Sequence, residues 1–235
     1  MMRSDAAGVK GFLCIGYAMD MNRRAIELAE KYPQVVAAIG LHPSEAETYT
    51  DQDLDWLESK LNHPKVVAIG EIGLDYYRGK NNVSKQKELF IKQIRLANKW
   101  RMPMCIHMRE ATDDTLQLLR DMKDLALPGV MHCYSGSVES ARDFIALNMK
   151  ISLAGPVTFL NARVPKAVAK AIELEHLLIE TDAPYLAPMP YRGKPNQPEF
   201  LPLVANEIAL IKEVPLAEVA RITWKNAVEL FHIQQ

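Results

Sequence analysis

The sequence lacks the surplus of positive charge that marks many proteins that bind nucleic acids. It carries 28 Lys and Arg side chains against 29 Asp and Glu side chains, so the formal net charge is −1. Whole-chain electrostatics therefore gives no sign of a polyanionic partner. Any affinity for phosphate has to come from a local group of cations.

Cysteine is scarce as well. Cys14, Cys105 and Cys133 are far apart in the chain, and each lies within an apolar run. A disulfide framework or a thiolate metal site needs paired or clustered cysteines, so neither is expected. We interpret all three as small buried apolar side chains.

Long apolar runs, low-complexity tracts and internal repeats are also missing. No apolar stretch approaches the roughly 18 residues that a membrane span needs. Residues 11–19 resemble the core of a signal peptide, but no cleavage pattern follows and an amphipathic helical pattern continues through residues 20–32. We therefore predict a cytoplasmic protein without membrane contact, folded as one domain over residues 1–235.

Short apolar runs recur along the chain, with helical patterns between them. The runs are nearly continuous rather than alternating, which is typical of parallel strands covered on both faces. Asp20, Ser84, Ser137 and Thr223 are the predicted helix starts, because short polar side chains cap helices. The seven predicted strands are residues 12–16, 35–41, 66–72, 104–107, 130–133, 151–153 and 177–180.

The repeated strand–helix pattern fits two α/β architectures. A doubly wound sheet usually has a glycine-rich phosphate loop, which this sequence lacks. Polar side chains instead lie at or just past the carboxyl ends of five strands, where a barrel gathers its active site. These are His42, Glu71, His107, His132 and Asp182. The sequence therefore predicts a TIM-type (β/α) barrel.

Three of these side chains suit a metal ion. Glu71 ends an apolar run, where a carboxylate without a partner would be costly to bury, although an internal salt bridge would also satisfy it. A lone histidine on such a run is more often a hydrogen-bonded core residue. His107 and His132 both end strands, however, so with Glu71 they supply three ligands and leave a position open for water. The combination favours a metal site.

Asp182 follows the last predicted strand and precedes Ala-Pro-Tyr. Its carboxylate could bind metal or accept a proton, and it could equally form an Asx-type turn. Glu180 is predicted to point to the opposite face of the strand, where a helix residue is its expected partner.

Candidate phosphate contacts lie in two places. Arg109 is two residues beyond His107, and Arg192, Lys194 and Asn196 lie in a proline-rich loop. Charged loop residues are commonly only solvated. The residue types alone therefore do not distinguish a phosphate contact from an ordinary surface charge.

Several motifs, taken in order and spacing, resemble the TatD family of metal-dependent deoxyribonucleases. The resemblance extends over essentially the whole chain, including Arg-Gly-Lys-Pro-Asn at 192–196 and Asn-Ala at 226–227. The other motifs are Gly-Leu-His-Pro at 40–43, Gly-Glu-Ile-Gly-Leu-Asp-Tyr at 70–76, Ile-His-Met-Arg at 106–109, His-Cys-Tyr-Ser-Gly at 132–136 and Glu-Thr-Asp-Ala-Pro at 180–184.

The resemblance implies a hydrolase barrel related to the amidohydrolases, with one or two divalent ions such as magnesium, manganese or zinc. It implies that Glu71 bridges two metals and that His107 and His132 bind one of them. Asp182 would bind the other and orient or deprotonate the attacking water, so Glu71 and Asp182 are the predicted catalytic residues.

The resemblance also implies a substrate and its contacts. Family members act as deoxyribonucleases, often as exonucleases that prefer single strands, so single-stranded DNA is the expected partner. The residues expected to line the cleft for substrate are His42, Arg109, Arg192, Lys194 and Asn196.

The sequence departs from the family pattern at its start. Family members open with a strand that carries His-x-His, and this pair occurs nowhere in the chain. We therefore expect seven of eight barrel strands, an N-terminally incomplete domain and a second metal site that keeps only Glu71 and Asp182. Two alternatives stay open: a metal-dependent amidase or esterase of small substrates, and a catalytically weakened remnant that binds nucleic acid.

Overall fold

The computed structural model describes residues 2–77, 82–122 and 128–233. The chain divides into two compact units. The first unit lies within Gly11–Val130, and the second combines residues 2–10 with residues 131–233.

The described residues form helices and strands in an alternating order. In chain order they are α1 (Met2–Ala6), β1 (Phe12–Ile15), α2 (Met19–Lys31), β2 (Val35–Ile39), α3 (Asp51–Lys60), β3 (Val66–Asp75), α4 (Val83–Trp100), β4 (Met104–Arg109), α5 (Thr112–Asp121), β5 (Gly129–Met131), α6 (Val138–Ala146), β6 (Met149–Leu153), α7 (Arg163–Ala171), β7 (Leu177–Ile179), α8 (Leu201–Lys212) and α9 (Leu216–Leu230).

In the first unit, β1, β2, β3 and β4 are parallel neighbours in that order. Ala37, Ala38 and Ile39 of β2 are inaccessible to solvent although successive side chains point to opposite faces. The strand is therefore covered on both faces, which explains its continuous apolar run. Helix α4 contributes to this core with Phe90, also inaccessible, and each such large apolar side chain contributes about 1.5–3 kcal/mol through burial.

In the second unit, β6 and β7 are parallel neighbours, with Ile151 opposite Leu177. Asn226 of α9 fastens the helix to the start of β7, because its side-chain amide donates to the carbonyl oxygens of Leu174 (2.7 Å) and Leu177 (2.8 Å). In the described ranges, no helix is both long and apolar enough to cross a membrane.

The predicted helix starts are confirmed in one case and corrected in three. Ser137 caps α6, where its side-chain oxygen accepts from the backbone N–H of Ser140 at 3.2 Å. Asp20 and Ser84 lie within the first turns of α2 and α4 instead, after Ala18 and Asn82 at the cap positions. Thr223 lies inside α9, where its hydroxyl donates to the carbonyl oxygen of Val219 at 2.8 Å.

Candidate metal centre

Glu71 lies in the middle of β3 rather than at its carboxyl end, so the predicted end of this strand at residue 72 is wrong. The strand continues to Asp75, and its pairing with β4 changes register between Ile69 and Ile72. Gly73 adopts φ +139, and a Cβ there would lie 2.0 Å from the carbonyl oxygen of His107. Only glycine therefore lets β4 approach β3 this closely beside Glu71.

His107 of β4 lies between two carboxylates of β3. Its Nδ1 is 2.9 Å from Oε1 of Glu71, and its Nε2 is 3.1 Å from Oδ2 of Asp75. All three side chains are mostly buried, with 19%, 16% and 10% of their surfaces exposed for His107, Glu71 and Asp75. Each ring nitrogen of His107 therefore faces a carboxylate of its own in a partly desolvated setting.

The burial of His107 acts to lower the pKa of its imidazole, but its hydrogen bonds to Asp75 and Glu71 outweigh this effect and the net pKa is raised. Burial acts to raise the pKa of Asp75, and the hydrogen bond and charge of His107 again outweigh it, so that pKa is lowered. Without a metal ion, the geometry therefore favours a protonated imidazole held by carboxylates.

His42 follows β2 and reaches the same place in the first unit. Its ring centroid lies 4.5 Å from that of His107, at 66° between the ring planes. His42, Glu71 and His107 each offer a ligand atom, and these atoms lie within 4.8 Å of one another. Two imidazole nitrogens and a carboxylate oxygen suit a zinc-like or manganese-like divalent ion, so the residues present fit a metal.

The hydrogen bonding of His42 favours a different role within this group. Its Nδ1 accepts from the backbone N–H of Ser44 at 3.1 Å. The proton of a neutral ring then lies on Nε2, which makes His42 a hydrogen-bond donor rather than a ligand in this tautomer. Glu71 and His107 are therefore the better ligands, and Asp75 takes the position of a carboxylate that orients a metal-binding histidine.

In the second unit, His132 lies just past β5 and is also flanked by carboxylates. Its Nδ1 is 2.9 Å from Oε1 of Glu180, within ion-pair distance although without the geometry of a hydrogen bond. Its Nε2 is 3.6 Å from Oδ1 of Asp182. His132 and Asp182 therefore lie close to one another, with Glu180 beside them.

In the described part of the chain, Glu180 pairs with Ser152 of a strand and faces His132 rather than a helix residue, so that prediction is wrong. Its Oε2 accepts a hydrogen bond from the hydroxyl of Ser152 in β6, and its Oε1 faces His132. The reason is that β7 ends at Ile179, so the alternation of strand faces no longer applies one residue later.

Asp182 lies in a tight loop with φ +55, and its carbonyl oxygen accepts from the N–H of Tyr185 at 2.8 Å. Asn196 holds the same loop. Its side-chain amide donates to the carbonyl oxygens of Thr181 and Tyr185, its oxygen accepts from Gln197, and only 4% of the residue is exposed. This geometry corrects the expected substrate contact of Asn196 to a role in positioning the loop.

The three cations among the predicted substrate residues are exposed. Arg109 ends β4, and its guanidinium carbon lies 3.6 Å from the ring centroid of Tyr77. Arg192 stacks over Phe159 at 4.4 Å, and Lys194 lies in the exposed part of the same loop. All three cations are accessible, and their contact with substrate stays a prediction.

Comparisons with known proteins place these residues in a family. A family model described as TatD related DNase matches residues 1–232. The uncharacterized metal-dependent hydrolase YabD of Bacillus subtilis (strain 168) is 45% identical over 231 residues, covering 98% of this chain and 91% of that protein. The uncharacterized metal-dependent hydrolase YcfH of Escherichia coli (strain K12) is 37% identical over 234 residues, covering 99% and 87%.

The fold is matched as well. The crystal structure of YjjV, a TatD homologue from Escherichia coli K12, superposes with a TM-score of 0.93 at 32% identity, covering 99% of this chain and 90% of that one. This likeness confirms the predicted fold class, a TIM-type barrel, of which the described residues form seven strands.

Proposed function

Because the chain belongs to the TatD family of metal-dependent hydrolases, we propose that it hydrolyses phosphodiester bonds of DNA in the cytoplasm. We propose further that it acts on single strands and shortens them from an end. The family model, described as a DNase, supports DNA as the substrate class. The observation that carries the proposal is His107, held between the carboxylates of Glu71 and Asp75.

Glu71 and His107 would hold a divalent ion in the first unit, and His132 and Asp182 offer a nitrogen and an oxygen ligand in the second. A bound divalent ion supplies a lowered pKa for water and a polarised phosphoryl oxygen. Asp75 accepts a hydrogen bond from Nε2 of His107, which fixes the ring so that Nδ1 faces Glu71.

The remaining residues have roles that follow from their atoms. Asp182 has a carboxylate at a strand exit and accepts the proton of the attacking water. His42, with the proton on Nε2, donates to a phosphoryl oxygen. Arg109, Arg192 and Lys194 contact phosphates of the DNA strand. Because the net charge of the chain is −1, affinity for phosphate has to come from such local cations.

The experiment compares the wild-type protein with His107→Ala and His63→Ala. His63 is a matched control, since it pairs with Glu30 of α2 and is not in the candidate centre. Each protein is stripped of metal, reloaded with magnesium, manganese or zinc, and given end-labelled single-stranded DNA, duplex DNA and RNA. We expect metal-dependent cleavage that is lost in His107→Ala by at least about 100-fold and kept in His63→Ala.

The products and a second substrate class complete the test. Mononucleotides released from one end support an exonuclease, whereas internal fragments overturn that part of the proposal. Metal-dependent hydrolysis of acyl esters or amides without DNA cleavage would identify an amidase or esterase instead. Full turnover of DNA by His107→Ala would overturn the assignment of the metal centre.

A further inference from the structure

We propose that Tyr77 and Arg109 form a subsite that stacks one unpaired base of a DNA strand beside the candidate metal centre. This inference rests on the proposed function, and it adds a binding residue, Tyr77, that neither the sequence motifs nor the comparisons assign. The subsite lies wholly within the first unit.

Arg109 covers one face of the Tyr77 ring, and more than half of the residue stays exposed. The guanidinium carbon of Arg109 lies 3.6 Å from the ring centroid, which is stacking distance. The residue nevertheless keeps 57% of its surface exposed, an unusually open position for a large aromatic side chain. A planar ligand can therefore stack on the face that Arg109 leaves open.

The backbone holds this pair close to the candidate metal ligands. The N–H of Tyr77 donates to Oδ1 of Asp75 at 2.9 Å, and the other oxygen of the same carboxylate lies 3.1 Å from Nε2 of His107. The N–H of Tyr76 donates to the carbonyl oxygen of Arg109 at 2.9 Å. One carboxylate thus connects the position of the aromatic ring to the position of the metal-binding histidine.

The chemistry of the pair matches a nucleotide rather than a general apolar ligand. An aromatic face stacks on any base without reading its sequence, and the adjacent guanidinium binds a phosphate through charge and directed N–H groups. A duplex keeps its bases stacked inside the helix and cannot present one to Tyr77. The subsite would therefore supply a preference for single strands, which the overall charge cannot.

The test compares the affinity of the protein for a strand that carries bases with its affinity for the same strand with abasic sites. The probes are a single-stranded thymidine oligonucleotide, the same strand with abasic sites, and the same strand carrying one 2-aminopurine as a fluorescent base. The proteins are wild type, Tyr77→Ala, Tyr77→Phe and Trp100→Ala. Trp100 is an exposed aromatic at the end of α4, bonded through its indole N–H to Glu58, and serves as the matched control.

We expect wild type and Tyr77→Phe to bind the base-bearing strand more tightly than the abasic strand and to quench 2-aminopurine. Tyr77→Ala should reduce the ratio of the two affinities by about tenfold and lose the quenching, because stacking on one aromatic side chain contributes this much. Trp100→Ala should keep the wild-type ratio. An unchanged ratio in Tyr77→Ala, or quenching that persists in it, would overturn the subsite.

The design separates this inference from the proposed function. Base-dependent binding through Tyr77 without any metal-dependent cleavage would refute the nuclease and support the subsite. Cleavage by wild type with an unchanged affinity ratio in Tyr77→Ala would support the nuclease and refute the subsite. Failure of wild type to bind any of the three strands would refute both.

Discussion

Oδ2 of Asp75 lies 3.1 Å from Nε2 of His107, on the side of the imidazole opposite Glu71. A carboxylate in this position fixes the tautomer and the orientation of a metal-binding histidine. The arrangement joins two neighbouring strands, because Asp75 ends β3 and His107 lies in β4. Asp75 therefore acts on the metal centre through His107.

Asp75→Asn should weaken metal affinity and activity by about 10–100-fold, because the amide keeps the size of the side chain but loses the charge that orients His107. Metal affinity is measured by calorimetric titration and activity by cleavage of labelled DNA. Asp51→Asn is the control, since Asp51 is exposed and forms a surface ion pair with Lys92, away from the candidate metal centre. Equal metal affinity in Asp75→Asn and wild type would contradict the orienting role.

Glu180→Gln should lower activity by a similar factor, about 10–100-fold, because the neutral amide no longer faces Nδ1 of His132 with a charge. Ser152→Ala removes the hydroxyl that donates to the other oxygen of Glu180 and should have a smaller effect. Steady-state kinetics of the two variants shows which of them loses more activity. A larger loss in Ser152→Ala would show that the hydrogen bond, and not the charge, is what matters.

Asn196→Ala tests the assignment of this residue to the loop rather than to substrate. Loss of its amide leaves the carbonyl oxygens of Thr181 and Tyr185 without their side-chain donor, so the free energy of unfolding should fall by about 1–2 kcal/mol. Urea unfolding measures this change. Asn161→Ala, at an exposed position, is the control.

The same variant separates positioning from binding. If Asn196 holds the loop that carries Asp182, kcat should fall more than KM rises, and protease cleavage within residues 182–196 should become faster. A rise in KM with unchanged stability and kcat would restore Asn196 as a direct substrate contact.

The stability of the metal-free protein should depend on pH through His107. Because its folded-state pKa is raised, its contribution is fully present below the unfolded value of about 6.5 and is lost as pH rises through the higher folded value. Asp75 has a lowered pKa, so its contribution is present above about 3.9 and is lost only as pH falls further. Metal-free protein should therefore be most stable between about pH 4 and pH 6.5 as far as this pair is concerned.

Thermal unfolding in EDTA at several pH values measures this dependence. From pH 6 to pH 9 we expect Tm of the wild type to fall by a few degrees more than Tm of His107→Gln, which lacks the titrating group. Identical pH profiles for the two proteins would show that the imidazole contributes nothing to stability. Metal should oppose the trend, because binding requires the deprotonated ring and strengthens as pH rises.

Most of the fold could be predicted from the sequence, because strands buried on both faces leave continuous apolar runs that periodicity detects. All seven predicted strands are present, with ends displaced by up to three residues. The largest displacement is at β3, which continues to Asp75 instead of ending at residue 72. The end of β3 could not be predicted from its own residues, because the neighbouring strand sets the change of register. Gly73 is the example, since the close backbone of His107 in β4 leaves no room for a Cβ there.

The candidate site was only partly predictable. Glu71, His107, His132 and Asp182 stood out as polar residues after apolar runs. The spacing of Asp75 also carries a signal, because a residue four positions after Glu71 lies on the same face of a strand. Glu180 could not be placed in this way, because side-chain direction just past a strand depends on partners such as Ser152 that are distant in the chain.

Gly73→Ala should damage both stability and the metal centre, because two separate costs coincide there. The backbone has φ +139, which a side chain disfavours, and the new Cβ would lie 2.0 Å from the carbonyl oxygen of His107. Relief requires β3 and β4 to separate beside Glu71 and His107. We expect a loss of unfolding free energy of about 3 kcal/mol or more, together with weakened metal binding.

Gly193→Ala is the matched control, since Gly193 also has a positive φ of +86 but a Cβ there meets nothing within 4 Å. Its free energy of unfolding should fall by only about 1 kcal/mol, because the backbone conformation alone is unfavourable for alanine. Urea unfolding and metal titration of both variants separate strain from steric conflict. If the two glycine variants lose equal stability and both keep wild-type metal affinity, the close approach of β4 at Gly73 is not what shapes the Glu71–His107 pair.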